Sequence, residues 1–262
     1  MEESLRLANP AERFTGRVES YRRFRPRYPA EIAAVLRREC GLDEDARIVD
    51  MAAGTGLLTE IFLEAGFAVT AVEPNAEMRA ACSELARKYP KLRVMEGTAE
   101  ATGLQDASAN LITVAQAMHW FDLERTRGEF ARVLKPGGWC AVIYNNRKLG
   151  GDRFHDGYEE LLREFGVDYV AVKQQHVERK RLAEFFAPQE MRTEIFPNAQ
   201  ELTLEGLEGR LLSSSYMPQP GHPRFAEVMA ATERLFTENE REGVVRIEYE
   251  CVVEYGRLSQ EP

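Results

Sequence analysis

The residues with the most chemistry in them lie in two short stretches. Arg47-Ile48-Val49-Asp50-Met51 is an apolar run carrying one acid, and the small-residue turn Ala52-Ala53-Gly54-Thr55-Gly56 follows it. Ala71-Val72-Glu73-Pro74-Asn75 is a second apolar run ending in an acid. A strand, a tight turn, a helix and an acid-ended second strand suit an adenosine-containing ligand. The turn lets backbone approach it, and a carboxylate can accept charge-assisted hydrogen bonds from both ribose hydroxyls. Dinucleotide sites of this kind use Gly-x-Gly-x-x-Gly and aim the helix N-terminus at a pyrophosphate. Here Leu57 to Glu60 supply no third glycine at that position.

The elements that must hold these residues follow from periodicity. Residues 1–28 are polar and basic without a clear period, and Pro29 opens a helix with Ile32, Val35 and Leu36 that Gly41 stops. From about 46 to 146, strands and helices alternate. Ile48-Val49 reads as a strand, and Leu58, Ile61, Phe62 and Ala65 as a helix closed by Gly66. Phe67 to Val72 is strand two, and Asn75 caps a helix bearing Met78, Ala81, Cys82 and Leu85. Leu92-Arg93-Val94-Met95 is a weaker third strand. Leu111-Ile112-Thr113-Val114-Ala115 is almost wholly apolar, as a central parallel strand is. Asp122 caps a helix to Leu134, and Lys135-Pro136-Gly137-Gly138 turns into the strand Trp139 to Tyr144. The alternation predicts a doubly wound α/β fold, a parallel sheet with helices on both faces.

After residue 147 the pattern changes. Helices are expected over about 154–190 and 222–238, with one strand near Ala199 to Leu204 and another over Ile247 to Tyr255. The latter alternates cleanly, with Ile247, Tyr249, Cys251, Val253 and Tyr255 on one side, which suits a half-exposed strand near the sheet edge with an antiparallel partner. Ser213 to Gly221 is a loop. The extra helices are not needed to complete the sheet, so this half is expected to hold a substrate lid.

Bulk properties exclude several classes. The 262 residues suffice for one large domain or a domain with a subdomain, and no repeat is found. The net charge of −9 argues against a general nucleic-acid binder. The exception is Tyr21-Arg22-Arg23-Phe24-Arg25-Pro26-Arg27-Tyr28 with Arg37-Arg38, which reads as a solvated basic face, an anion site or an RNA-facing patch. Cys40, Cys82, Cys140 and Cys251 form no Cys-x-x-Cys pair, so neither zinc nor a disulfide framework is indicated, and no metal site is expected. Reduced thiols suit the cytoplasm. With Glu2 and Glu3 and no long apolar run, no signal peptide is expected, and no stretch reaches the ~20 apolar residues of a membrane span. Oligomeric state has no signature.

The turn resembles the Asp-x-Gly-x-Gly-x-Gly turn of class I S-adenosylmethionine-dependent methyltransferases, whose ligand carries no phosphate. Glu73, Glu96-Gly97-Thr98-Ala99-Glu100 and Val133-Leu134-Lys135-Pro136-Gly137-Gly138 fall in the order that family has them. The arm Tyr21 to Pro29, Val114 to Phe121 and Arg210 to Tyr216 are similar to the group of ubiquinone/menaquinone C-methyltransferases and trans-aconitate methyltransferase-like proteins. The resemblance implies a mostly parallel seven-stranded sheet with one antiparallel strand and a helical C-terminal lid insertion. It divides the chain into an arm and first helix (1–41) closing the cofactor site, a Rossmann-like core (42–147), and a lid with the last two strands (148–262). The cofactor would be S-adenosylmethionine, leaving as S-adenosylhomocysteine.

Carried over by residue, the resemblance puts Asp50 beneath the turn near the methionine amino group and Ala52, Gly54 and Gly56 along methionine and ribose. Glu73, with Pro74 after it, holds the ribose, while Thr98, Ala99 and Glu100 lie along the adenine. Ala115 and Gln116 flank the amino-acid part, and Tyr21 and Arg25 close over it, Arg25 pairing the carboxylate. Two departures stand out. Ala52 replaces a glycine and is expected to keep negative φ, since positive φ costs an alanine ~1–2 kcal/mol. Thr98 stands where many relatives carry aspartate, so Thr98 or Glu100 must meet the adenine amino group.

Methyl transfer needs alignment and water exclusion, and needs a base only where the acceptor must lose a proton. His119, after the central strand, is the candidate base; the alternative is a packing histidine beside Trp120. Trp120 and Phe121 wall the pocket or belong to the core, and Tyr144, Asn145 and Tyr216 are candidates to face the acceptor. His155, His176 and His222 carry no motif and are expected at the surface. No Asn-Pro-Pro-Tyr or Asp-Pro-Pro-Tyr motif occurs, which disfavours base methylation. The expected acceptor is a small molecule, a carboxylic acid by the trans-aconitate likeness. A tRNA or other nucleic-acid methyltransferase, or a cofactor binder without transferase activity, are the alternatives.

Overall fold

In the computed structural model, residues 16–167, 169 and 179–258 are described. His176 lies outside them.

The alternating half forms as its periodicity requires. Strands β1 (Arg47–Met51), β2 (Ala68–Val72), β3 (Leu92–Met95) and β4 (Ala109–Ala115) are parallel. Strand β5 (Leu134–Arg147) joins β4, also in parallel. The helices between them are α3 (Leu57–Glu64), α4 (Ala76–Glu84) and α5 (Leu123–Val133), preceded by α1 (Val18–Phe24) and α2 (Glu31–Glu39). Two caps predicted from side-chain chemistry are present: Asn75 Oδ1 accepts from the Met78 N–H and Asp122 Oδ1 from the Arg125 N–H.

The sheet has the order β3-β2-β1-β4-β5-β7-β6, where β6 is Arg192–Leu202 and β7 is Val245–Arg257. Strand β7 runs antiparallel to both neighbours, so seven strands with one reversed are observed as expected. The order turns back on itself between β1 and β4, and this opens a crevice at their C-terminal ends. One apolar layer packs Ile32, Leu36, Phe62 and Phe67 on Ile48 and Leu111. The other packs Phe130, Val133 and Phe186 on Val49, Ile112 and Val114.

The C-terminal half holds α6 (Arg153–Phe165), α7 (Arg179–Phe186), α8 (Leu204–Leu212) and α9 (Phe225–Asn239). Three of these share a core of their own, where Phe154, Tyr158 and Leu162 of α6 meet Leu207 and Leu211 of α8 and Val228 of α9.

Several elements depart from expectation. Strand β7 does not: it lies next to the edge strand β6 with antiparallel partners, as expected, although Glu254 on its glutamate side is buried. Strand β6 begins well before Ala199. Pro197 masked its first half, and a proline is tolerated there because an edge strand leaves one row of N–H groups unused. Lys135 to Gly138 lie within β5 rather than in a turn before it. Helices α1 and α8 were not read from the sequence; α1 buries no residue fully and so shows no apolar stripe. His155 is not at the surface but 3% exposed. Its Nε2 accepts from the Glu248 N–H, so Nδ1 carries the proton and donates to Asp152, tying the start of α6 to β7.

Candidate functional site

The turn after β1 is built from strained and glycine positions. Ala52 has φ +52°, which corrects the expectation of negative φ, and Gly54 and Gly56 have φ +58° and +90°. At Gly56 a Cβ would lie 2.6 Å from a Leu85 methyl carbon, so α4 packs where only glycine fits. Ala52 bears a left-handed conformation that costs an alanine about 1–2 kcal/mol. Gln116, one residue past β4, does likewise at φ +56°. Ala107 and Glu242 also have positive φ, in turns away from the crevice. Two strained side-chain-bearing residues therefore flank the crevice, at the ends of β1 and β4, where strain commonly marks function.

Both acids are buried at the ends of their strands. Asp50 is 1% exposed beneath the turn, and accepts from Thr59 Oγ1 at 2.5 Å and from Thr113 Oγ1 at 3.0 Å. Burial pushes its pKa up to about 6, against the two threonine hydroxyls, which favour the charged form. Glu73 accepts from the Gly54 N–H and the Asn75 N–H, each at 2.8 Å. Burial raises its pKa as well, opposed by those two N–H groups. A carboxylate has about four acceptor positions, so two remain for a diol.

Past β3, Thr98 is exposed and its backbone pairs with Ala101, Ala99 is buried, and Glu100 Oε1 accepts from the Asp122 N–H at 3.0 Å. One oxygen of Glu100 is thus spent on the start of α5.

A cavity of about 340 Å³ opens beside the turn, within the ~300–1,000 Å³ of small-molecule sites. Of the residues singled out from sequence, Tyr21, Arg25, Gln116, His119, Trp120, Asn145 and Tyr216 line it. His119 and Trp120 occupy a short 3-10 turn after β4, their rings 4.7 Å apart. Asp50, Ala52, Gly54, Gly56, Glu73, Pro74, Thr98, Ala99, Glu100 and Ala115 are not in its wall. Tyr144 is a correction. It packs in the opposite apolar layer with Val142 and Phe185, whereas Asn145 continues the row of Ala141 and Ile143 toward the cavity. Strand alternation sends neighbours to opposite faces, so the two could not both face the acceptor. Phe121 also packs against that opposite layer.

The basic arm roofs the cavity. The Tyr21 ring lies 3.9 Å from where a Cβ of Gly54 would stand, and the Arg25 guanidinium sits 5.0 Å from the Tyr21 ring centroid. Arg25 Nη2 donates to the Ser213 carbonyl at 2.8 Å, and Arg17 donates to the Ser214 carbonyl. Phe24 packs so tightly on Gly209 of α8 that a Cβ there would fall 2.1 Å from its ring. Arg22, Arg23 and Arg27 pair with Glu84, Glu205 and Glu60, so most of the basic run is spent on the protein's own acids.

Residues not singled out individually from sequence complete the wall: Tyr28, Leu57, Arg147, Tyr169, Arg210 and Tyr249 among them. Arg210 lay in a stretch already notable for its resemblance. Arg147 and Tyr249 sit in strands whose pattern reports only the sheet.

A carboxylate with acceptor capacity to spare, glycine positions at the turn and a cationic roof fit an adenosylated amino acid. Among the described residues no cluster of metal-ligating side chains occurs, no cysteine is bonded to another, and no helix is long and apolar enough to cross a membrane.

Comparison with known proteins supports the same region. Residues 49–142 match the family described as a methyltransferase domain. An uncharacterized methyltransferase of Mycobacterium tuberculosis is 40% identical over 134 residues, 51% of this chain and 52% of that protein. The chain thus spans about half the length of the curated relatives it matches. A candidate type II methyltransferase from Anaeromyxobacter dehalogenans superposes with a TM-score of 0.66 at 22% identity, covering 90% of this chain and 98% of its own. Geranyl diphosphate C-methyltransferase from Streptomyces coelicolor, solved with S-adenosyl-L-homocysteine, gives 0.51 at 14% identity over 88% and 77%. The fold is the class I methyltransferase fold.

Proposed function

We propose that this protein is an S-adenosylmethionine-dependent methyltransferase acting on a small molecule held in the cavity, with S-adenosylhomocysteine as the product of the cofactor. The observation that carries this is the pairing of a strained, glycine-bearing turn with Glu73, whose carboxylate keeps acceptor positions open beside Gly54. The methyltransferase-domain match over residues 49–142 and the structural likeness to a protein solved with S-adenosylhomocysteine support the choice over a dinucleotide.

The cofactor, when bound, supplies a methyl group already activated on a sulfonium. The chain's own residues then bind, orient and exclude water. Glu73 holds the ribose hydroxyls. Asp50 offers negative charge beneath the turn to the ammonium, and Arg25 offers positive charge to the carboxylate. Ala52, Gly54, Gly56, Ala115 and Gln116 bound the amino-acid end. Thr98, Ala99 and Glu100 border the adenine. Alignment of this kind can lower a barrier by ~7–11 kcal/mol. His119 takes the proton of an acceptor that must lose one. Trp120, Asn145 and Tyr216 shape the acceptor's side.

The arm over residues 16–41 closes the site, residues 42–147 bind the cofactor, and α6, α8 and α9 with their separate core cover the acceptor. A carboxylic acid is the acceptor class the trans-aconitate likeness brings, and the four unbonded cysteines suit a cytoplasmic setting. The ion pairs of Arg22, Arg23 and Arg27 weigh against an RNA-facing patch.

Thermal unfolding with S-adenosylhomocysteine tests the assignment. At 100 times the dissociation constant, binding adds about 2.7 kcal/mol of stability. A melting temperature that does not move at millimolar ligand would refute it.

A further inference from the structure

The cavity wall holds three arginines, and they are not equivalent. Arg147 Nη2 donates to Glu159 Oε2 at 2.5 Å and to the Tyr169 hydroxyl at 3.1 Å, so its charge is met inside the protein. Glu159 takes two further donors: Tyr169 Oη donates to the same oxygen at 2.6 Å and Arg163 Nε to the other at 3.0 Å. Arg25 and Arg210 have no such partner. Among the described residues, neither lies within ion-pair distance of a carboxylate.

Arg210 is 7% exposed on α8. Its Nη1 donates to Ser214 Oγ at 3.1 Å, and its Nε approaches the Tyr249 hydroxyl at 3.4 Å. Both are neutral. Arg25 is half-buried, with its Nε shielded from solvent; burial and the neighbouring Arg210 charge push its pKa down. Two cations near one another in one cavity, with Arg210 buried, are costly unless an anion joins them. The arginine nearer the turn, Arg25, is stacked with Tyr21 over Gly54 and serves the cofactor's single carboxylate. One positive charge is left over.

We propose that Arg210, positioned by the Tyr249 hydroxyl that itself donates to Gln200 Oε1 at 2.9 Å, anchors a carboxylate of the methyl acceptor, so that the acceptor enters with one negative charge and is held by a group other than the atom that is methylated. This rests on the cofactor assignment above. Charge count favours a carboxylate over a phosphate monoester, which brings nearly two charges to one uncompensated guanidinium. A carboxylate locked onto a guanidinium has its lone pairs engaged and is a poor nucleophile. The proton that His119 would take therefore belongs elsewhere on the acceptor.

The test is calorimetric and uses the chain saturated with S-adenosylhomocysteine. It is titrated with a panel of aromatic and aliphatic monocarboxylates, with their primary amides as neutral isosteres, and with matching phosphate monoesters. Acids that bind while their amides do not are the expected result. Arg210→Gln should weaken the acids about 30-fold or more, with S-adenosylhomocysteine affinity unchanged. Arg210→Lys, which keeps the charge without the fork, should recover part of the loss, and Tyr249→Phe should weaken the acids less than Arg210→Gln does. Unchanged cofactor-product affinity in the variants shows that the fold survives. Acids no better than amides, phosphates preferred to acids, or no acid binding at millimolar concentration would each overturn the proposal. So would an Arg210→Gln chain that loses S-adenosylhomocysteine as well, because Arg210 would then serve the cofactor. Failure of the wild-type chain to bind S-adenosylhomocysteine would instead refute the cofactor assignment.

Discussion

The site has two sides, the crevice at the ends of β1 and β4 and the cavity beside it, and they are made in different ways. Along the crevice at the ends of β1 and β4 the surface is set by backbone: positive-φ residues at 52, 54, 56 and 116, and a carboxylate fixed by two N–H groups. On the cavity side, charged and aromatic side chains meet from distant parts of the chain: Arg25 at the end of α1, Arg147 at the end of β5 and Arg210 on α8. On the proposed assignment, the first side recognises what every cofactor molecule shares. The second is free to vary with the acceptor, and a common fold does not set it. The stretch matching the methyltransferase domain, residues 49–142, falls on the first side.

If the division is right, substitutions on the two sides should separate cofactor affinity from turnover. The largest effect is expected from Glu73→Gln. It removes charge from the diol contact and puts an NH2 group where the Gly54 or Asn75 N–H now donates. Bonds to a charged acceptor contribute about 1.5–3 kcal/mol each, so affinity for S-adenosylhomocysteine should fall about 100-fold by calorimetry. His119→Ala comes next. The cofactor-product affinity should hold while kcat falls about 100-fold or more for an acceptor that loses a proton. Equal turnover would move His119 to a packing role beside Trp120.

Asp50 sharpens the comparison through pH. Its pKa in the folded chain, about 6, lies above the unfolded value near 3.8. Its stabilising contribution is therefore complete below pH ~4 and is lost as pH rises through ~6. The ligand-free chain should lose on the order of 2–3 kcal/mol over that window relative to its Asp50→Asn variant, read by urea unfolding at each pH. A parallel pH profile for the two proteins would mean that Asp50 titrates normally. Ala52→Gly should have a smaller effect. Relief of left-handed strain worth ~1–2 kcal/mol is partly offset by the greater freedom of glycine in the unfolded chain, for a net gain below ~1 kcal/mol. Cofactor affinity should not change. Tyr144→Phe is expected to do least, leaving turnover as it was, because the ring faces the layer away from the cavity.

The same division explains what was legible in the sequence. A turn that needs left-handed backbone leaves glycines at fixed places, and a buried parallel strand leaves an apolar run such as Leu111 to Ala115, so the core and its ligand contacts could be read locally. Ala52 could not, because the strain it bears is imposed by the packed sheet and is invisible in the residue type. Arg210 and Arg147 gain their meaning only when α8 and the end of β5 converge on one cavity. Tyr144 and Asn145 looked alike as strand-end polar residues until the pleat assigned them to opposite faces. His155 looked like a surface histidine because its two partners, Asp152 and the Glu248 N–H, come from different elements. Pro197 hid half of β6, since an edge position that tolerates proline is a property of the whole sheet.

The most direct test of the adenosyl site is a pair of titrations on one preparation, S-adenosylhomocysteine first and a nicotinamide dinucleotide second. Saturable binding of the phosphate-free ligand at one site per chain, lost in Glu73→Gln, with no heat from the dinucleotide, is the predicted result. Saturable dinucleotide binding with no response to S-adenosylhomocysteine would contradict it.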